Sequence, residues 1–105
     1  MELRTIYITT KNEEESLRIG EALVTERLAA CANILPKIKS IYRWQGRIEK
    51  DEESGLLLKT RADTVERLIA RVKEMHGYTV PCVVSWKIEE GNPDYLDWIE
   101  KETSK

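Results

Sequence analysis

The chain has 105 residues, 34% of them charged and 41% hydrophobic, with a formal net charge of −2. That composition suits one globular domain over residues 1–105 with a core large enough to fold without staples, and it excludes a disordered chain. The slight acidic balance argues against a nucleic-acid partner, and no apolar run reaches the roughly 18 residues of a membrane span.

The opening segment, MELRTIYITT, lacks a basic region followed by an apolar one, so no signal peptide is visible. The expectation is a cytoplasmic protein with Cys31 and Cys82 reduced. The two form no C-x-x-C pair, which argues against structural zinc.

Leu3 to Thr9 is a short β-prone run and reads as a strand. Asn12 with Glu15 three positions on is a capping-box arrangement, and Glu13, Glu14 and Glu15 fall where the helix dipole favours acids. Leu17, Gly20, Val24 and Leu28 recur at helical spacing, with Ala22 and Leu23 beside them, so a helix is expected from Glu13 to Ala29. Gly20 in its interior costs about 1 kcal/mol relative to Ala, which suggests close packing on a sheet.

Cys31 to Trp44 reads as the first arm of a hairpin, with a bulge expected at Pro36, which cannot donate to a ladder. Ile38, Tyr42 and Trp44 share one face, and Lys37, Lys39 and Arg43 the other. The basic residues either form a solvated face or meet an anion. Gln45-Gly46 is the tight turn. Arg47 to Thr60 is the second arm, exposed through RIEKDEE and buried through LLLKT, with a second bulge expected at Ser54-Gly55.

Asp63 with Glu66 suggests another N-cap pair, and Val65, Leu68, Ile69, Val72 and Met75 form an apolar stripe, so Thr64 to His76 is a predicted helix with Gly77 as its left-handed cap. Cys82 to Glu89 reads as a fourth strand. Asn92 and Pro93 suit the N-cap and first turn of a final helix whose apolar face is Tyr95, Leu96, Trp98 and Ile99. Tyr95 and Trp98 are expected in the core.

The order β-α-β-β-α-β-α places the chain in the α+β class, as a ferredoxin-like split βαβ with a long second hairpin and an extra C-terminal helix. The second arm, Arg47 to Thr60, would reach about 46 Å at ~3.3 Å per residue, whereas a compact chain of this size is about 35 Å across. A projecting two-stranded ribbon is marginal in water, and this one would expose Tyr42, Trp44 and Ile48. Pairing with neighbouring copies resolves both problems, so a homo-oligomer is expected.

RLAACANILPKIKSIYRWQGRIEKDEE, LLLKTR, HGYTVP and GNPDYLDWI together resemble the CutA family of divalent-cation tolerance proteins. The resemblance runs over nearly the whole chain. It implies a cytoplasmic homotrimer with intersubunit sheets, an architecture like the PII signalling proteins, and a link to copper and other divalent metals. Cys31 matches the cysteine of the family's RLAAC segment, Trp44 and Gly46 its hairpin turn, Lys59 and Thr60 its KT strand end, and His76, Tyr78 and Pro81 its HPYxxPE segment. This chain departs from the pattern with Gln45 for Glu, Gly77 for Pro and Cys82 for Glu. It also has Ile8, Thr9 and Thr10 where some members carry a copper-binding cysteine.

Two groups of candidate site residues follow. His76, Cys82 and Cys31 are soft ligands that would suit Cu or Zn, weakly held, with a trimer able to pool them across interfaces. The alternative for His76 is a cation at a helix C-terminus, and for each cysteine a packed thiol. Lys59, Tyr42, Trp44 and Glu53 form a candidate ligand cleft at a subunit boundary, the other reading of Lys59 being an intersubunit ion pair with Glu49 or Glu53. No nucleophile–base pair, phosphate-binding glycine loop or second histidine is present, so no enzyme chemistry is expected. The functional expectation is a homotrimer that binds a divalent metal or small effector between subunits; the alternative is a PII-like signalling module acting through a protein partner.

Overall fold

The computed structural model describes residues 1–104. In it the chain forms β1 (Leu3–Thr10), α1 (Glu13–Thr25), β2 (Cys31–Trp44), β3 (Arg47–Arg61), a 3-10 turn (Ala62–Thr64), α2 (Val65–Met75), β4 (Val83–Lys87) and α3 (Pro93–Glu102). The four strands make one antiparallel sheet in the order β2-β3-β1-β4, which is the split βαβ arrangement. The core lies between the sheet and the first two helices. Ile6 and Ile8 of β1 face their register partners Leu58 and Leu56 of β3, and Ile19, Leu23, Leu68 and Val72 cover them from α1 and α2. A smaller cluster of Leu3, Ala30 and Ile99 seats α3 at one end.

Local chemistry explains most boundaries. Asn12 Oδ1 accepts the Glu15 N–H at 2.9 Å and opens α1. Gly20 is needed for the close approach of α1 to the sheet: a Cβ there would lie 3.1 Å from both Ala32 Cβ and Leu56 Cδ2. Asn92 Oδ1 accepts the Asp94 N–H at 3.0 Å, with Pro93 beginning α3. Gln45 and Gly46 take φ of 50° and 79°, the left-handed pair of a type I′ turn that matches strand twist.

Several expectations are corrected. Helix α1 ends at Thr25, four residues short of Ala29. Arg27 adopts φ 59°, Leu28 N–H reaches back to Leu23 O at 2.9 Å and Arg27 N–H to Val24 O at 3.1 Å. This is a Schellman cap built on arginine instead of glycine. Its buried face is Ser16, Ile19, Gly20 and Leu23, while Leu17 and Val24 are exposed. Asp63 caps nothing: its carboxylate takes a two-pronged contact from Arg61, at 2.7 and 3.1 Å, and α2 begins without a side-chain cap. Gly77 is not left-handed; His76 ends α2 in an extended conformation, φ −78° and ψ 141°. Tyr95 and Trp98 are not in the core. They stack on each other at 5.6 Å on the surface of α3.

The hairpin is as long as its sequence demands. The molecule measures 44 × 25 × 22 Å, with a radius of gyration of 14.2 Å. Strand β1 leaves β3 at Thr10↔Ser54, so from Ile38↔Glu53 to Trp44↔Arg47 no third strand pairs with the two arms. The one-residue bulge falls where Pro36 requires it, between Leu35 and Ile38, with Lys37 at φ 59°. Strand β3 itself runs unbroken, so the bulge expected at Ser54-Gly55 is instead on the facing strand. A Cβ at Gly55 would come within 2.5 Å of Ile38 Cδ1, so a larger residue there would displace the tip of the Ile38 side chain.

Candidate functional site

Cross-strand partners share a face of a ribbon, and this ribbon's faces are chemically unlike. One carries Tyr42↔Glu49, Ser40↔Asp51 and Ile38↔Glu53; the other carries Lys39↔Glu52, Ile41↔Lys50 and Arg43↔Ile48. The first face is aromatic and acidic. At its root it meets the segment that follows α2, and a groove of about 480 Å³ lies between them. Tyr42, Trp44 and Ser40 line it from β2, Glu53 from β3, Thr9 from β1, and Tyr78, Thr79, Val80 and Cys82 from the segment before β4.

Both tyrosine hydroxyls in the groove are fixed by carboxylates. Tyr42 donates across the ribbon to Asp51. That bond, with some burial and the nearby charges of Asp51, Glu49 and Glu53, pushes the Tyr42 phenol up to about 12. Tyr78 Oη donates to Glu53 Oε2 at 2.8 Å. Burial and then this contact raise the Tyr78 phenol further still.

The Tyr78 wall is held from beneath. His76 is buried, and its Nε2 lies 2.7 Å from Thr9 O. A carbonyl only accepts, so Nε2 carries the proton and Nδ1 is left to accept the Tyr78 N–H at 3.0 Å. Glu15, 3% exposed, accepts the Gly77 N–H at 2.9 Å and the Lys11 N–H at 3.2 Å. A Cβ at Gly77 would stand 3.0 Å from Glu15 Oε2, so glycine leaves the clamp room. Beneath the ribbon, the hydroxyls of Thr10, Ser16 and Ser54 are linked at 2.6 and 2.9 Å, and Ser54 reaches Leu35 O.

The structure brings Tyr42, Trp44 and Glu53 of the expected cleft together, but not Lys59. That residue sits about 20 Å along β3 from Glu53, where its Nζ donates to Asn33 Oδ1 at 3.0 Å. The expected metal ligands are not gathered in one subunit either. His76 spends both ring nitrogens on backbone groups. Cys82 lines the groove near Thr9, whereas Cys31 pairs with Lys59, level with Thr5 and about 13 Å away along β1. Cys31 Sγ lies 3.4 Å from Tyr95 Oη, and this contact, then burial, raises the Tyr95 phenol to about 12. Among the described residues no three His, Cys, Asp or Glu side chains group so as to hold a metal ion. The donor set of a single chain therefore does not fit Cu or Zn.

Tyr78, Asp51 and Glu15 are the site residues that sequence reasoning left out. The period-two alternation of β3 puts Glu49, Asp51 and Glu53 on the face of Tyr42 and would have found Asp51. No local signal marks Glu15 as a clamp on a segment 62 residues away.

Among the described residues no helix is long and apolar enough to cross a membrane. The CutA1 divalent ion tolerance protein family matches residues 4–102. The divalent-cation tolerance protein CutA of Thermus thermophilus is 50% identical over 98 residues, 93% of this chain and 95% of that protein. The mouse protein CutA is 41% identical over 92% of this chain, which spans just 55% of the mouse sequence. Among solved structures, the Thermus thermophilus protein superposes with a TM-score of 0.94 at 48% identity, covering 97% of this chain and 99% of that one. The Archaeoglobus fulgidus protein, described as a periplasmic divalent cation tolerance protein, gives 0.94 at 40% identity over 97% and 99%. On a match that spans strand one to the last helix, the chain belongs to the CutA1 divalent ion tolerance family.

Proposed function

We propose that this chain acts in divalent-cation tolerance as a non-enzymatic, cytoplasmic homotrimer that binds a small effector in the groove between its ribbon and the Tyr78 segment. The observation that carries this reading is the groove itself: its volume falls in the range of small-molecule sites, and both walls are fixed before any ligand arrives. Assembly is supported by the apolar side chains left open on the same side, with Trp44 43%, Val84 48% and Trp86 47% exposed. Direct ligation of Cu or Zn by His76 is disfavoured, because freeing a nitrogen would leave Thr9 O or the Tyr78 N–H unpaired.

A second reading, a PII-like module that signals through a protein partner, is favoured by Ile41, 72% exposed on the basic face of the ribbon beside Ile48. A thermal-shift screen of small molecules and metal salts separates the two. On the first reading, a saturating effector at about 100 times its Kd adds about 2.7 kcal/mol to the wild-type protein and little to a Trp44→Leu variant. If no compound stabilises the protein while Ile41→Glu abolishes capture of a protein partner, the second reading replaces the first.

A further inference from the structure

We infer that the groove is a site for a small organic cation, an alkylammonium or guanidinium group held over aromatic faces beside the Glu53 carboxylate. This rests on the proposed function and names the chemical class of the effector. Tyr42, Trp44 and Tyr78 line the groove, and ring faces attract cations within about 6 Å of their centroids. Glu53 is the charged side chain among the lining residues. Its Oε2 is taken by Tyr78, and among the described residues Oε1 has no hydrogen-bond partner.

The surroundings carry the same sign. Glu49 and Asp51 continue the row of Glu53 on the groove face, while Lys39, Arg43 and Lys50 project from the opposite face. Arg47 is the cation on the groove side, at the tip beside Trp44, and it does not line the groove. An anionic ligand would meet the Glu53 carboxylate, with Glu49 and Asp51 further along the same face and no lysine, arginine or histidine lining the groove. A cation would complete the free oxygen of Glu53 and gain from the rings at once. A bare divalent metal would find one carboxylate and the single thiol of Cys82, too few ligands for a stable site. The site is also built rather than incidental: Tyr42 is fixed by Asp51, and Tyr78 by Glu53, His76 and the Glu15 clamp on Gly77.

The test uses choline, its neutral isostere 3,3-dimethylbutan-1-ol and the anionic 3,3-dimethylbutanoate, titrated into the full-length protein while the Trp44 indole signal is followed by NMR. The expected result is that choline moves Trp44 and binds about tenfold or more tightly than the neutral isostere. Glu53→Gln should lower choline affinity about tenfold while leaving thermal stability and assembly mass near wild type. Equal affinities for choline and the alcohol, or an unchanged Glu53→Gln, would overturn the cationic class while leaving the groove as an effector site. If none of the three probes moves Trp44, this inference fails, while the effector reading is decided by the thermal-shift screen. A fall in assembly mass on reversing the charges of Lys39, Arg43 and Lys50 would then assign the groove to a neighbouring copy.

Discussion

The stretch of β3 from Ser54 to Arg61 and the stretch from Arg47 to Glu53 belong to one unbroken strand, yet they meet different surroundings. In the first, Leu56, Leu58 and Thr60 alternate under the helices and are completely buried. In the second, no third strand or helix is present, and acidic side chains predominate on one face and basic ones on the other. The first stretch is stabilised by burial of apolar area. The second, in a single subunit, has hydrogen bonds to β2 and little else, a combination that is marginal in water. A strand of constant backbone geometry therefore meets two environments: one half holds the subunit together, and on the proposed assembly the other makes contacts outside it.

The largest effect should come from the buried half. Leu58→Ala should lower the unfolding free energy by about 2–5 kcal/mol, seen as a lower denaturant midpoint with loss of helical circular dichroism. Comparable damage from a substitution at Ile41 would erase the contrast between the halves. A smaller loss, about 1–3 kcal/mol, is expected for Glu15→Ala, which leaves the Gly77 and Lys11 N–H groups without their acceptor. It should also raise hydrogen exchange at Tyr78, whose segment Glu15 clamps, more than at Leu58. His76→Ala should act the same way and to a similar degree, and should leave any weak Zn binding unchanged, as read by calorimetry.

Alkaline pH gives a milder contrast. Tyr42 and Tyr78 both titrate above the usual phenol value near 10, Tyr42 chiefly because its protonated hydroxyl is bonded to Asp51, and Tyr78 chiefly because it is buried, with its bond to Glu53 second. A folded-state pKa above the unfolded one means that the stabilisation is complete below pH 10 and is lost as pH rises through 10 toward 12. Tyrosinate absorbance should therefore lag that of the unfolded chain, and Asp51→Asn should bring one tyrosine back toward the ordinary range. The smallest effect is expected on the outer face of the ribbon, where Lys50→Gln should change subunit stability by less than about 0.5 kcal/mol.

Much of this architecture is legible in the residues. Several signals that act within a few residues read correctly: Asn12 and Asn92 as caps, Pro36 as a bulge, Gln45-Gly46 as the turn. Others do not: Asp63 is taken by a competing neighbour, Arg61, instead of capping α2, and Gly77 is not left-handed. The end of α1 was missed because Arg27, not glycine, occupies the left-handed position. His76 looked like a ligand because the carbonyl that holds it belongs to Thr9, 67 residues away. Grouping Lys59 with Glu53 overlooks the rise of the strand, which puts the two about 20 Å apart on one face. The groove is half visible in the sequence: Tyr42, Trp44 and Glu53 lie on one hairpin, while Tyr78 and its clamp come from another part of the fold.

The central claim is that the outer half of the hairpin serves assembly and the inner half serves the subunit. Light scattering after size exclusion on wild type and Trp44→Ala, combined with circular dichroism, tests it most directly. Wild type should give about three times the 12.2 kDa chain mass at micromolar concentration, and the variant should keep its helical signal while falling to smaller species on dilution. A Trp44→Ala protein that stays trimeric at nanomolar concentration with unchanged thermal stability would contradict the account.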